Sequence, residues 1–224
     1  MMHHFYNWLT RVLVGLLGGW EVVGVENIPM EGPLLMMSNH MAWLDPPMLG
    51  ALLPRRITYM AKVELFQNWF TRWVVVGYGS FPIRRGGIDR QALRTASKVL
   101  DAGGVLGMFP EGTRSRSGEL QAGLPGVALL ALRSKAPVLP VVVIGTDKMW
   151  RLGNIIRRRR VKVIVGRPFH LPEANGVGSK NLAIASEMMM LRLAALLPVE
   201  MRGVYRDKVE RQDASEEVAN RVVN

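Results

Sequence analysis

Hydrophobic and polar positions follow two different periods along the chain, and the switches between them mark its elements. Short apolar runs at residues 34–37, 57–61, 105–109, 138–144 and 161–166 read as strands, residues 20–25 alternate well enough for a first strand, and 79–83 read as a short one. Between them, apolar residues recur every three or four positions. This spacing predicts helices over 88–100, with Leu93, Ala96, Val99 and Leu100 inward, and over 125–135 and 181–197, with a short helix beginning at Asp45. The segment 65–76, with Trp69, Phe70 and Trp73, reads as a helix or a membrane-facing apolar stretch. Near the start, Phe5, Trp8, Leu9, Val12, Leu13, Leu16 and Leu17 recur at helical spacing, with Asn7, Thr10 and Arg11 toward another side. That pattern suits an amphipathic helix lying in a membrane interface, and equally a helix packed on the domain's own core.

Strands alternating with helices predict a single α/β domain. Its central sheet is mostly parallel or mixed, of about seven strands, and helices flank it. The 224 residues, 49% of them hydrophobic, fit one core of this kind. The expected division is an interface helix over 1–19, the α/β domain over 20–200 and a charged, fraying tail over 201–224.

Charge sharpens this picture. The 29 basic and 18 acidic residues give a net charge of +11, which calls for an anionic partner such as nucleic acid, lipid headgroups or an acidic or phosphorylated substrate. The surplus is not uniform, because residues 1–54 contain one basic residue, Arg11. With no cysteine, disulfides and thiolate chemistry are excluded. No apolar run reaches the roughly 18 residues of a spanning helix, and no cleavage site follows the first apolar segment, so neither a spanning helix nor a cleaved leader is predicted.

Three loops that end strands hold most of the reactive side chains: His40 with Asp45, Arg84 with Arg85, and Glu111 to Arg116. The Asp45-Pro46-Pro47 sequence predicts a helix start with Asp45 as its cap, which puts the histidine at a strand's end and the carboxylate at the next helix. A carboxylate there can fix the imidazole's tautomer and stabilise the imidazolium. Arginine pairs suit phosphate because the guanidinium fork binds its oxygens bidentately. The glycines at 86, 87 and 112 let backbone N–H groups approach an anion. Each pattern alone is equally a polar strand end or a solvated loop.

Together the loops resemble the glycerolipid acyltransferases, above all those that acylate 1-acylglycerol 3-phosphate. The first block of that family stands here as Asn39-His40 through Asp45. The second stands as Gly79-Ser80-Phe81-Pro82-Ile83-Arg84-Arg85, the third as Phe109-Pro110-Glu111-Gly112-Thr113-Arg114-Ser115, and the fourth as Val138-Leu139-Pro140-Val141. All four come in the family's order. The resemblance implies that His40 is the general base and Asp45 its orienting partner. It further implies that Asn39, Arg84, Arg85, Glu111, Gly112, Thr113 and Arg114 bind substrate, with an oxyanion-stabilising N–H sought near Gly112. The acyl group would pass directly from a thioester, acyl carrier protein or coenzyme A, to lysophosphatidic acid, with no other cofactor and no metal. The absence of cysteine and of a G-x-S-x-G elbow agrees with direct transfer. One departure stands out: Leu124 occupies a place where many members have lysine.

The implied setting is the cell membrane, with the protein monotopic on the cytoplasmic face and its partners the lipid, the thioester donor and the membrane surface rather than nucleic acid. Two alternatives remain at this point: acylation of another lysolipid, such as a lyso-ornithine lipid, or of glycerol 3-phosphate, and a non-catalytic basic protein that binds membrane or nucleic acid. The run Arg157-Arg158-Arg159-Arg160 could meet anionic lipid or an acidic carrier, or lie in a solvated loop. His3, His4 and His170 have no companions at ligand spacing.

Overall fold

The computed structural model describes residues 2–84, 87, 89–149, 160–172 and 178–212. Helix α1 (Met2–Leu16) leads into β1 (Trp20–Val23), followed by β2 (Leu34–Ser38), α2 (Asp45–Leu52), β3 (Ile57–Lys62), α3 (Trp69–Gly77) and β4 (Phe81–Ile83). Then come α4 (Arg90–Asp101), β5 (Val105–Met108), α5 (Pro125–Ser134), β6 (Val138–Ile144) and β7 (Val161–Val165). The last helix, α6, covers Ser179–Ala195. The strands form one seven-stranded sheet in the order β1-β7-β6-β2-β5-β3-β4. Among the described residues every neighbouring pair is parallel except β6 with β7, so the sheet is mixed, as the strand–helix alternation predicts.

A central strand covered on both faces must be apolar throughout, and β2 shows how its side chains divide. Leu34 and Met36 enter one core and Leu35 and Met37 the other. Helices α4, α5 and α6 cover the second of these faces through Ala96, Leu100, Ala128, Leu130, Met189 and Leu193. On the opposite face, Met48 and Leu49 of α2 and Val14 of α1 meet β2, β3 and β6. Gly107 of β5 lies on this face. A Cβ there would sit 2.5 Å from Tyr59 Cε1 and 2.6 Å from Ile57 Cγ2, so glycine makes room for the Tyr59 ring to lie across the strand. At the amino-terminal edge, the Arg55 guanidinium donates to the carbonyls of Pro29 at 2.8 Å, Gly32 at 2.6 Å and Gly103 at 2.9 Å, tying two turns together.

Helix boundaries follow local chemistry. The helix expected from residue 88 starts at Arg90 because the Asp89 carboxylate caps it, accepting the N–H groups of Gln91 at 3.1 Å and Ala92 at 3.0 Å. Similarly, the Asn68 side chain accepts from Phe70 and Thr71 at the start of α3. The expected charged tail is shorter than 201–224. Tyr205 and Val209 are buried in the core shared with α5 and α6, and Lys208 pairs with Glu187, so the chain packs at least as far as Val209.

Helix α1 packs one face on the domain, as one of its two readings expected, and leaves another apolar face exposed. Tyr6, Thr10 and Val14 are buried against the domain, whereas Phe5, Trp8, Leu9, Val12 and Leu16 are exposed. Thr10, expected on a polar side, is buried because its hydroxyl hydrogen-bonds Tyr78, whose own hydroxyl donates to the Tyr6 carbonyl at 3.1 Å. The Tyr6 ring meets Trp73 of α3 at 4.8 Å between centroids. It also lies over Gly77, where a Cβ would approach it to 2.3 Å. Replacing Gly77 with alanine is therefore expected to destabilise the protein by about 1–3 kcal/mol, the usual range for overpacking. Urea unfolding measures the loss, and hydrogen exchange should show it concentrated in α1.

Candidate active site

His40 leaves the carboxyl end of β2 on the face that carries α2, and its ring lies flat on Phe109, 4.2 Å between centroids at 24°. Its Nδ1 is 2.9 Å from Asp45 Oδ2, and the His40 side chain is 15% exposed against 0% for Asp45. An ionised carboxylate only accepts, so Nδ1 carries the proton and the lone pair of the neutral ring is on Nε2. The same Oδ2 accepts the N–H of Met41 at 2.6 Å and of Ala42 at 2.8 Å. Asp45 was expected to cap α2 as well, and it does not: the cap position is Leu44, with no side-chain bond, while the carboxylate reaches backward to close the loop that holds the histidine.

The loop after β5 grips the same histidine by its backbone. Glu111 Oε1 accepts the His40 N–H at 2.9 Å, and the His40 carbonyl accepts the Ser115 N–H at 2.7 Å. Glu111 Oε2 accepts the Gln121 N–H at 3.0 Å. Both oxygens of this buried acid are thus occupied by protein, and the structure gives Glu111 a positioning role where substrate binding was expected. Burial pushes its carboxyl above the usual range, against the lowering effect of the Gln121 and His40 N–H groups and the nearby imidazole. Gly112 has φ of 68°, a left-handed turn, and donates its N–H to the Phe109 carbonyl at 3.0 Å. In this arrangement its own N–H is not the oxyanion donor sought from the sequence. The Leu124 side chain lies over Gly112, where a Cβ would come within 2.4 Å of Leu124 Cδ1.

The remaining expected residues separate into two groups. Asn39 is buried, and both ends of its amide pair with the backbone of Val143, donating to the carbonyl at 2.9 Å and accepting from the N–H at 2.8 Å. It extends the pairing of β2 with β6 past the strand's end and fixes where His40 emerges, a structural use rather than the substrate contact expected. Arg84, Thr113 and Arg114 are exposed, on loops that follow β4 and β5. Arg84 is held through its backbone, which donates to Asp89 Oδ2 at 2.9 Å. That N–H is the chief cause of a lowered Asp89 carboxyl, ahead of the cap bond from Ala92. Arg85 and Gly86 lie outside the described residues, as do Arg157, Arg158 and Arg159. Phe109 opens the third block, but its role as a platform for the imidazole had no sequence signal, and neither had Gln121 as a brace for Glu111, since each works through geometry set by distant strands.

A buried carboxylate, an imidazole of fixed tautomer and exposed arginines at the carboxyl ends of parallel strands together make a site for removing a proton beside an anion. The family model named acyltransferase matches residues 19–144, and the chain belongs to that family of acyl-transferring enzymes. A 1-acyl-sn-glycerol-3-phosphate acyltransferase of Bacillus subtilis is 31% identical over 198 residues, 87% of this chain and 96% of that protein. The lyso-ornithine lipid O-acyltransferase of Pseudomonas aeruginosa is 31% identical over 172 residues, 70% of this chain and 65% of that protein. A crystal structure of the 1-acyl-sn-glycerophosphate acyltransferase of Thermotoga maritima superposes with a TM-score of 0.66, covering 95% of this chain and 80% of that one at 22% identity. At that identity the likeness is one of fold.

The raised Glu111 carboxyl has a consequence for stability. The folded protein binds that proton more readily than the unfolded chain, so Glu111's contribution declines as pH rises from the ordinary carboxylate value through the raised folded value, then levels off. Urea midpoints measured from about pH 4 upward should show this decline, and Glu111→Gln should remove it.

Proposed function

We propose that this chain transfers a fatty acyl group from a thioester, carried by acyl carrier protein or coenzyme A, to the free hydroxyl of lysophosphatidic acid, giving phosphatidic acid. The observation that carries the reading is the bond from His40 Nδ1 to the buried Asp45 Oδ2, 2.9 Å, which leaves Nε2 as an acceptor. His40 Nε2 takes the hydroxyl proton as the oxygen attacks the thioester carbonyl. Asp45 stabilises the imidazolium, and collapse of the tetrahedral intermediate expels the thiolate, which takes the proton back and leaves as thiol. Arg84, with Thr113 and Arg114, faces solvent where the acceptor's phosphate would sit, and Arg85 follows it in the chain. The names of the relatives from Bacillus subtilis and Thermotoga maritima support this acceptor.

The lipid acceptor also requires an approach to a membrane. No helix among the described residues is long and apolar enough to cross one. Exposed Phe5, Trp8 and Leu16 on α1, and Trp69 and Phe70 on α3, instead form an outward apolar surface on two helices in contact. The reading is a monotopic enzyme bound through this surface, on the cytoplasmic face where soluble thioesters are found. The Pseudomonas aeruginosa relative keeps a second reading in view, acylation of a lysolipid without a phosphate.

Release of free thiol from acyl carrier protein and coenzyme A donors, with a panel of acceptors, separates these readings. Lysophosphatidic acid should be preferred, and His40→Ala should lower turnover by about a thousandfold without unfolding the protein. Arg84→Ala should raise KM for phosphate-bearing acceptors roughly tenfold and leave others unaffected. Near-normal turnover in the histidine variant would overturn the mechanism. For the surface, changing Trp8, Trp69 and Phe70 to glutamate should abolish sedimentation with phospholipid vesicles while turnover of a short-chain, water-soluble acceptor persists.

A further inference from the structure

Two polar atoms close to the catalytic pair are buried and, among the described residues, without a hydrogen-bond partner: Asp45 Oδ1 and the Tyr59 hydroxyl. They are opposite in kind. Asp45 receives three N–H groups on Oδ2 and none on Oδ1, although the whole side chain is shut away from solvent. A buried carboxylate oxygen with no donor is costly, and so is a buried phenol with no acceptor.

The sheet brings the two toward each other. Tyr59 is on β3, paired beside Gly107 of β5, which in turn pairs with β2 one strand further in. Since Gly107 has no side chain, the tyrosine ring extends across β5 instead of standing up from its own strand. There it stacks with Phe109, 6.1 Å between centroids at 12°, the ring whose neighbour is the His40 imidazole. Asp45 and Tyr59 belong to one face of the sheet, under α2. Burial first, and then the charge of Asp45, push the Tyr59 phenol well above its usual value, so it holds its proton and is a donor.

We infer that Tyr59 is a positioning residue for acyl transfer: its hydroxyl supplies the donor for Asp45 Oδ1 across one bridging water molecule. With Oδ1 satisfied, Asp45 keeps Oδ2 turned to the imidazole, as outer partners do for ligating and catalytic side chains elsewhere. Tyr59 touches neither substrate nor the reacting atoms, and acts only through Asp45 and then His40. The inference rests on the reading of His40 as the base.

A double-mutant cycle tests it. Tyr59→Phe keeps the ring and its stacking and removes only the hydroxyl. It should lower kcat about tenfold, as loss of a donor to a charged group predicts, with KM for acceptor and thioester unchanged. In an Asp45→Asn background the same change should alter kcat by less than about twofold, because its route of action is already gone. The His40 Nδ1 proton resonance gives an independent readout and should move in Tyr59→Phe. A tyrosine that serves only packing predicts otherwise: removing an unpartnered buried hydroxyl would hold or raise Tm and leave kcat and the resonance at their wild-type values. That result, or equal losses in both backgrounds, overturns the inference. His40→Ala assayed alongside keeps the two questions apart, since full activity there would defeat the base assignment and not the Tyr59 contact, which the resonance reads directly.

Discussion

The arrangement depends on one carboxylate oxygen. Asp45 Oδ2 gathers the imidazole N–H of His40 and the backbone N–H groups of Met41 and Ala42, so a single buried charge both folds the loop after β2 and sets the histidine's tautomer. A charge shut away from solvent persists only where donors surround it. Loop closure and fixing of the imidazole's tautomer are therefore one event. The helix that begins at Asp45 contributes rigidity, because Met48 and Leu49 anchor it against the sheet.

The loop after β5 adds a second restraint of a different type. Glu111 and Ser115 hold His40 by its main chain, through N–H and carbonyl, while Gln121 braces Glu111 from behind. Between those two residues lie Gly112, Thr113 and Arg114, the segment read as facing the acceptor's phosphate. The 112–114 segment and the His40 loop are thus joined directly by hydrogen bonds at Glu111 and Ser115, so on the proposed reading preorganisation of one supports the other.

Much of the fold was legible because buried parallel strands must be apolar throughout. The run at 138–144 coincides with β6, and the run at 34–37 with all but the last residue of β2. The pairing of His40 with Asp45 was legible through its block. What escaped was any role that depends on which face a residue takes or which distant strand it meets. Thr10 looked polar and is buried, because Tyr78 lies 68 positions further on. Asn39 and Glu111 sit in the blocks as substrate contacts would, yet their partners are Val143, His40 and Gln121. Asp45 looked like a helix cap and reaches the other way. No local pattern separates these uses, since the same polar atoms serve either.

An imidazole able to deprotonate an alcohol can also deprotonate water, and a thioester beside it would then be hydrolysed. The Phe109 ring covers one face of His40, and only 15% of the side chain is open. On the proposed reading, selection of the lipid hydroxyl over water would lie in access to His40 rather than in its basicity, and Phe109, an aromatic residue with no part in proton transfer, would govern how much acyl donor is lost to hydrolysis.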